Sequence, residues 1–388
     1  MKKLKILCFF GTRPEAIKMA PVIQVLEKEK RFQVVVGVSA QHRGMLDQVL
    51  DLFHIRCQVD LNLMKEGQSL FDVTADVLRK FERVLDQIKP DLVLVHGDTT
   101  TTMAGSLASF YKKIPVGHVE AGLRTGDKYR PFPEEINRHV TDSVATLYFA
   151  PTNKSKKNLL DEQIDPHLVF VTGNTVIDAL LETAEKPSRI KSAELQRALT
   201  RIGRQEIILM TAHRRENFGA PFVNICTAVR NLSRRFPSIH WIYPVHPNPN
   251  VIKPAHRYLS SRPNIHLVSP LDYADLVKVM KKSKLVVTDS GGIQEEAPSL
   301  GKPVLVLRDV TERPEAVQAG TVKIVGTNRS TIERAVSKLL TDRRAYRKMS
   351  NAVNPYGDGH AAERISQAIR WYFGLSRTRP SPFRAGKV

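Results

Sequence analysis

"KLVVTDSGGIQEEAPSLGKPVLVLRD", residues 284–309, decides the fold class. Its two apolar runs, "LVVT" and "PVLVLRD", do not alternate apolar with polar residues. Strands read that way when a parallel sheet buries both of their faces. Between them, Asp289-Ser290-Gly291-Gly292 forms a corner and a helix follows. The same alternation extends in both directions. Strand-like runs precede it at "LKILCFF", "QVVVGV", "DLVLVHG", "IPVGHVE", "TLYFAP", "LVFVTG", "EIILMTAH", "IHWIYPVH" and "NIHLVSP". Helical patterns fall at 14–29, 68–88, 99–112, 133–145, 217–235 and 272–283. Repeated units of this kind imply α/β architecture with doubly wound sheets. Eleven or more strands are too many for one ordinary open sheet, so two sheets, one to each of two lobes, are expected. The second series opens at "LVFVTGNTVIDALL". That sets an N-terminal lobe at 1–170 and a C-terminal lobe at 171–359, with a last helix at about 360–373. The tail 375–388 contains "SRTRPSPFRAGKV", basic and free of acids, and is expected to be disordered.

Composition narrows the class. A chain of 388 residues suggests about two domains. Apolar content of 42% and charged content of 25% are those of a water-soluble globular protein. No apolar run reaches the roughly 20 residues of a membrane helix, and "MKKLKILCFF" lacks the form of a signal peptide, so a cytoplasmic location is expected. Cys8, Cys57 and Cys226 lie far apart, and the histidines show no metal-ligand spacing, so no metal is expected. The net charge of +20 would suit a polyanion partner, yet no nucleic-acid module is present.

Chemistry-bearing residues gather where strands end. "GTRPEA" and "TERPEA" place Arg13 and Arg313 after apolar runs of different lobes. Ligands of open α/β sheets sit beyond the carboxyl ends of strands, so both arginines are expected to face one cleft between the lobes. Ser290, Gly291 and Gly292 open a helix whose N–H groups suit a diphosphate. Glu295 or Glu296 could receive a ribose diol. "TAHRRENFG" adds His213, Arg214 and Arg215 as a phosphate clamp. The first lobe supplies acids instead: Asp98 in "HGDTTTT", Glu120 in "GHVEAGLRTG", and Glu134 in "PFPEEINRH". Each has a bland reading: Ser290 and Asp98 could be helix caps, and Glu134 a favourable helix start. Acid–base groups beside a phosphate clamp describe a site that moves protons on a phosphorylated substrate. Neither GxGxxG nor GxxxxGK[ST] occurs.

Together, "FGTRPEAIKMAP", "AQHRGMLDQVL", "HGDTTTT", "GHVEAGLRTGD", "PEEINR", "TGNTVIDAL", "HRRENFG", "YPVHPNP", "TDSGGIQEEAPSLGKPVLVLRDVTERPEA" and "NPYGDGHAAERI" resemble the bacterial non-hydrolysing UDP-N-acetylglucosamine 2-epimerases, in order, through residues 4–373. The resemblance implies a glycosyltransferase-B-like fold, two Rossmann-like doubly wound lobes around a central cleft, whose last helix crosses back to the first lobe. It implies a homodimer that needs no cofactor and interconverts UDP-N-acetylglucosamine and UDP-N-acetylmannosamine. Carried over by motif, it implies functional roles for Arg13, Lys18, Asp98, Glu120, Glu134, His213, Ser290, Gly291, Gly292, Glu296 and Arg313. The family often has an aromatic residue stacked on uracil where this chain has Leu276. Gln41, His42, Arg43, Arg214, Arg215 and His246 resemble a region that holds a second UDP-N-acetylglucosamine as activator. The expected chemistry eliminates UDP to 2-acetamidoglucal and adds it back. Rival readings are a sister epimerase of a UDP-2,3-diacetamido uronic acid, a UDP-sugar glycosyltransferase, and a hydrolysing epimerase.

Overall fold

The apolar runs become the strands of two wholly parallel sheets. The computed structural model describes residues 3–39, 43–63, 67–311 and 313–386. Two compact units emerge, one of residues 1–179 with 356–384, the other chiefly of residues 180–355. In the first, β1 (Leu4–Phe10), β2 (Phe32–Val38), β3 (Val59–Asp60), β4 (Leu92–His96), β5 (Val116–Val119), β6 (Leu147–Ala150) and β7 (Val169–Val171) lie in the order β3-β2-β1-β4-β5-β6-β7. In the second, β8 (Glu206–Thr211), β9 (Ile239–Pro244), β10 (Ile265–Val268), β11 (Leu285–Thr288), β12 (Val304–Val306) and β13 (Val322–Ile324) lie in the order β10-β9-β8-β11-β12-β13. Strand order reverses between β1 and β4 and again between β8 and β11. Those switch points are where an open α/β sheet leaves a crevice beyond its carboxyl edge.

Burial on both faces explains the unbroken apolar strands. Ile6 through Phe10 are all inaccessible to solvent. Phe9 stacks on Phe81 of the helix Leu70–Ile88, ring centroids 4.0 Å apart. The second core gathers Ile208, Met210, Trp241, Tyr243, Val287 and Leu305 beneath the helix Ala220–Arg235.

Three expectations need correction. "LVFVTG" does not begin the second lobe. It supplies β7, whose Tyr148↔Val169 register fixes it to the edge of the first sheet. The division falls later, at Ala179 and Leu180 inside the helix Thr175–Glu185, and the chain returns at Tyr356. The return strap is tied down by Asn174, whose N–H donates to the Tyr356 carbonyl at 2.6 Å. Nor is the tail disordered over 375–384. Phe383 is buried, and its N–H donates to Val171 on the open edge of β7. Arg379 lies over Phe170 and Trp371 and donates to the Val169 carbonyl at 3.0 Å. Composition missed this because Arg379 turns its charge to carbonyls and rings rather than to an acid. The last helix, Ala361–Tyr372, belongs to the first unit and packs on the helix Arg13–Lys28. The short strands β3 and β13 have no apolar run long enough to announce them.

Candidate active site

In the first unit the carboxyl ends of β1, β4 and β5 carry the predicted residues. After β1, Thr12 caps the helix Arg13–Lys28, and Arg13 is half-buried in its first turn. Glu15 locks this corner. Its Oε2 accepts from Gly11 N at 3.0 Å and Thr12 N at 2.7 Å, and its Oε1 accepts from the hydroxyls of Thr99 (2.7 Å) and Thr102 (2.9 Å). One buried carboxyl thereby joins the β1 corner to the β4 corner. Burial pushes that carboxyl above its ordinary range, and the four donors pull it back only in part.

Asp98 does not cap the helix Thr100–Tyr111; Thr99 does so, accepting from Thr102 N. Asp98 is held by Arg138 instead. Its Oδ2 accepts from Nη2 at 2.6 Å and Nε at 3.1 Å, while Asn137 Nδ2 donates to its main-chain carbonyl at 2.9 Å. Arg138 also reaches Glu135 at 3.0 Å, and Glu135 closes the loop before it by accepting from Thr125 N and Gly126 N. Two guanidinium contacts hold the Asp98 carboxyl in place. Glu134 opens the same helix, Glu134–Val144, and its Oε2 is buried with no hydrogen-bond partner among the described residues. A buried carboxylate oxygen left open needs a reason, and a ligand is one.

Glu120 sits just past β5 with φ at +69°, a conformation that non-glycine residues adopt at a cost. Lys18 Nζ donates to its Oε1 at 2.6 Å and Asn174 Nδ2 at 2.7 Å. On the other side, His96 Nε2 lies 3.5 Å from Oε2. Burial pushes the His96 imidazole down to about 3, against the pull of Glu120, so at neutral pH it is uncharged. Glu120 thus has a cation, an amide and a neutral ring among its neighbours.

In the second unit the β8 and β11 corners are spliced together by Asp289, which is fully buried. Its Oδ2 accepts from His213 N at 2.9 Å, Arg214 N at 2.8 Å and Asn217 Nδ2 at 3.0 Å. Below it the hydroxyls of Thr211 and Thr288 meet at 2.6 Å. Ser290 is the N-cap of the helix Gly291–Ser299, yet its side chain makes no capping bond, so the helix's first N–H groups are left for another acceptor. Gly291 and Gly292 are open on their outer side. A Cβ added at Gly292 would meet only Glu296 Oε2, at 3.7 Å, and at Gly291 only Arg214 Nη2, at 4.0 Å. Neither glycine is required by the fold. Burial pushes the His213 imidazole below its ordinary range, opposed by Asp289, and the ring stacks on His246 with centroids 5.4 Å apart.

A family model for UDP-N-acetylglucosamine 2-epimerases matches residues 24–370. The chain belongs to the UDP-N-acetylglucosamine 2-epimerase family. It is 52% identical over 383 residues to a Bacillus subtilis UDP-N-acetylglucosamine 2-epimerase, covering 99% of each chain. Its fold is similar to that of the Neisseria meningitidis epimerase solved with UDP-GlcNAc, at 51% identity and TM-score 0.86 over 94% of this chain and 99% of that one. It is also similar to Staphylococcus aureus MnaA solved with UDP, at 49% identity and TM-score 0.88 over 99% and 100%.

For a member of this family, sequence reasoning named the corner residues and missed what holds them. Arg138, Asn137, Asn174, His96 and Glu15 make the contacts above without having been singled out, and Asp289 was named only as part of its corner. A signal existed for Arg138, which follows Glu134 at helical spacing in "PEEINR". Two further partners were also missed. Glu296 accepts from the buried Tyr273 hydroxyl at 2.7 Å, and Arg313 Nε pairs with Glu295 Oε1, so neither acid is idle helix surface. Leu276 is half-buried on the helix Tyr273–Lys282, one turn on from Tyr273. Of the proposed activator region, Arg214, Arg215 and His246 are exposed. Gln41 and His42 lie outside the described residues, and of Arg43 only its place at the start of the helix Arg43–Leu52 is described.

Proposed function

We propose that the chain catalyses reversible C2 epimerisation of UDP-N-acetylglucosamine to UDP-N-acetylmannosamine, supplying a precursor of cell-surface polysaccharide. The observation that carries this reading is the corner Ser290–Gly292. There an uncommitted cap residue and two open glycines begin a helix beside His213, a geometry suited to a diphosphate. Ser290, Gly291, Gly292, His213, Arg13 and Arg313 hold the diphosphate, and Leu276 contacts the base in place of an aromatic ring. Asp98, Glu120 and Glu134, with Lys18 beside Glu120, work on the same nucleotide-sugar.

No carbonyl acidifies C2–H, so direct proton removal is too costly. The C1–O bond to UDP breaks first, and the oxocarbenium character at C1 makes the C2 proton removable. A carboxylate takes that proton, C1=C2 forms, and 2-acetamidoglucal and UDP remain bound. Protonation of C2 from the other face and return of the diphosphate oxygen to C1 complete the inversion. Atoms and electrons balance without a redox cofactor. Asp98, paired with Arg138, supplies fixed charge. Glu120, beside Lys18 and the neutral His96, and Glu134, whose buried Oε2 has no hydrogen-bond partner among the described residues, are the proton carriers. Helix N–H groups and cations stabilise the leaving diphosphate, the kind of contribution worth about 10²–10³ in turnover per donor.

Incubation with UDP-N-acetylglucosamine alone, followed by NMR of the sugar, tests the proposal. Appearance of the manno isomer, deuterated at C2 when the reaction runs in D₂O, supports it. An unchanged substrate, release of free N-acetylmannosamine, or an absolute need for a sugar acceptor would each overturn it. Two further parts of the reading have their own tests. Progress curves started from pure UDP-N-acetylmannosamine should accelerate on a trace of the gluco isomer if Arg214, Arg215 and His246 help hold an activator. Sedimentation should report a homodimer.

A further inference from the structure

One buried ionisable pair is left unused by this chemistry. His118 lies at the centre of β5 and is inaccessible to solvent. Its Nδ1 is 2.6 Å from Asp142 Oδ1, and its Nε2 is 2.7 Å from the Gly97 carbonyl oxygen. Both are hydrogen-bond distances, and a carbonyl oxygen can only accept. Asp142 can only accept as well. Its Oδ2 already takes Arg124 Nη2 at 2.7 Å and Gly122 N at 3.2 Å. Burial pushes the Asp142 carboxyl up, but His118 and Arg124 outweigh it and hold the group below the usual carboxylate range. Neither ring nitrogen of His118 therefore faces a donor.

We infer that His118 carries a proton on both ring nitrogens and is a positioning residue that fixes the Gly97–Asp98 peptide relative to Glu120. Consecutive residues of β5 grip both polar groups of Gly97: its N–H donates to the Val119 carbonyl at 2.9 Å, and its carbonyl accepts from His118. Gly97 has φ of +71°, and a Cβ there would lie 3.6 Å from Glu120 Oε2. The Gly97 peptide is thus the shared wall between Asp98 and Glu120. Asp142 belongs to the helix Glu134–Val144, which also bears Glu134 and the Arg138 that holds Asp98. Through two hydrogen bonds, both donated by the ring, one imidazolium joins the β4 corner, the β5 corner and that helix. Loss of either bond frees the peptide to turn, and misplacement of a reacting group by about 1 Å costs on the order of 10² in rate.

The test has two arms. In full-length protein labelled with ¹⁵N-histidine, the His118 ring, assigned by its contacts to Gly97 and Asp142, should show two bonded protons. Separately, His118→Gln, whose amide donates from one end only, should lower kcat by about 10–100-fold while KM and UDP affinity stay within about threefold. This kcat arm rests on the epimerase reading; the NMR and UDP-affinity readouts do not, so the two can fail independently. A single ring proton on His118, or a folded variant with kcat within about twofold of the parent, would overturn the inference. Should the variant fail to fold, the spectrum of the parent protein decides.

Discussion

Replacing Gly292 with alanine separates a glycine kept for the fold from one kept for a ligand. The added methyl would touch nothing of the protein nearer than Glu296 Oε2 at 3.7 Å, an ordinary contact. Position 292 is the second residue of a helix, where alanine is favoured over glycine by up to about 1 kcal/mol. The variant should therefore melt at the parent's temperature or roughly 1–4 °C above it. A diphosphate cradled by this helix start would meet the methyl instead. Loss of one or two charge-assisted hydrogen bonds, each about 1.5–3 kcal/mol, gives about 3 kcal/mol, or a Kd for UDP raised by about 10². Differential scanning calorimetry and titration calorimetry with UDP read the two effects on one sample. Gly11→Ala is the contrasting control. There the Cβ would lie 2.6 Å from Thr101 Oγ1, whose hydroxyl is bonded to Ser39 at 2.9 Å, so stability should fall by about 1–3 kcal/mol. If Gly292→Ala binds UDP within about threefold of the parent, the diphosphate is elsewhere and the reasoning fails.

Asp289→Ala leaves three donors without their acceptor in a buried setting, at about 1–2 kcal/mol each, so chemical denaturation should show a loss of about 3–6 kcal/mol; a loss under about 1 kcal/mol would contradict the splice. Glu120→Gln keeps the size and one accepting oxygen but not the charge beside Lys18, so turnover followed by NMR should fall by about 10²–10⁴ with UDP affinity unchanged. Asp178 accepts from Ala361 N and Ala362 N, yet burial pushes its carboxyl up to about 6 from 3.8. Between those pH values the unfolded chain releases a proton that the folded chain keeps, so this group's contribution to stability falls as pH rises. Asp178→Asn should remove that slope: the variant's stability relative to the parent should climb by about 3 kcal/mol from pH 4 to pH 7, and a parallel pair of curves would refute the assignment.

The amino-acid sequence by itself determined the class of fold, the chemistry of the corners and the family. Uninterrupted apolar strands can only be buried on both faces, and residues such as Asp98, Glu120, His213 and Ser290 stand where those strands stop, so local pattern suffices. It could not place β7, because an apolar run carries no information about which sheet it joins; the backbone pairing Tyr148↔Val169 settles that. Nor could it reveal the packed tail, since Phe383 and Arg379 are stabilised by partners about two hundred positions away. The surroundings of the acids are set the same way. Asp98 is tied to Arg138, forty residues distant, Glu120 to Lys18, a hundred and two distant, and Glu134 leaves an oxygen open. Residue type fixes what a carboxylate can do, but its charge and freedom depend on which distant donors the folded chain brings within 3 Å, and only the tertiary structure sets that distance.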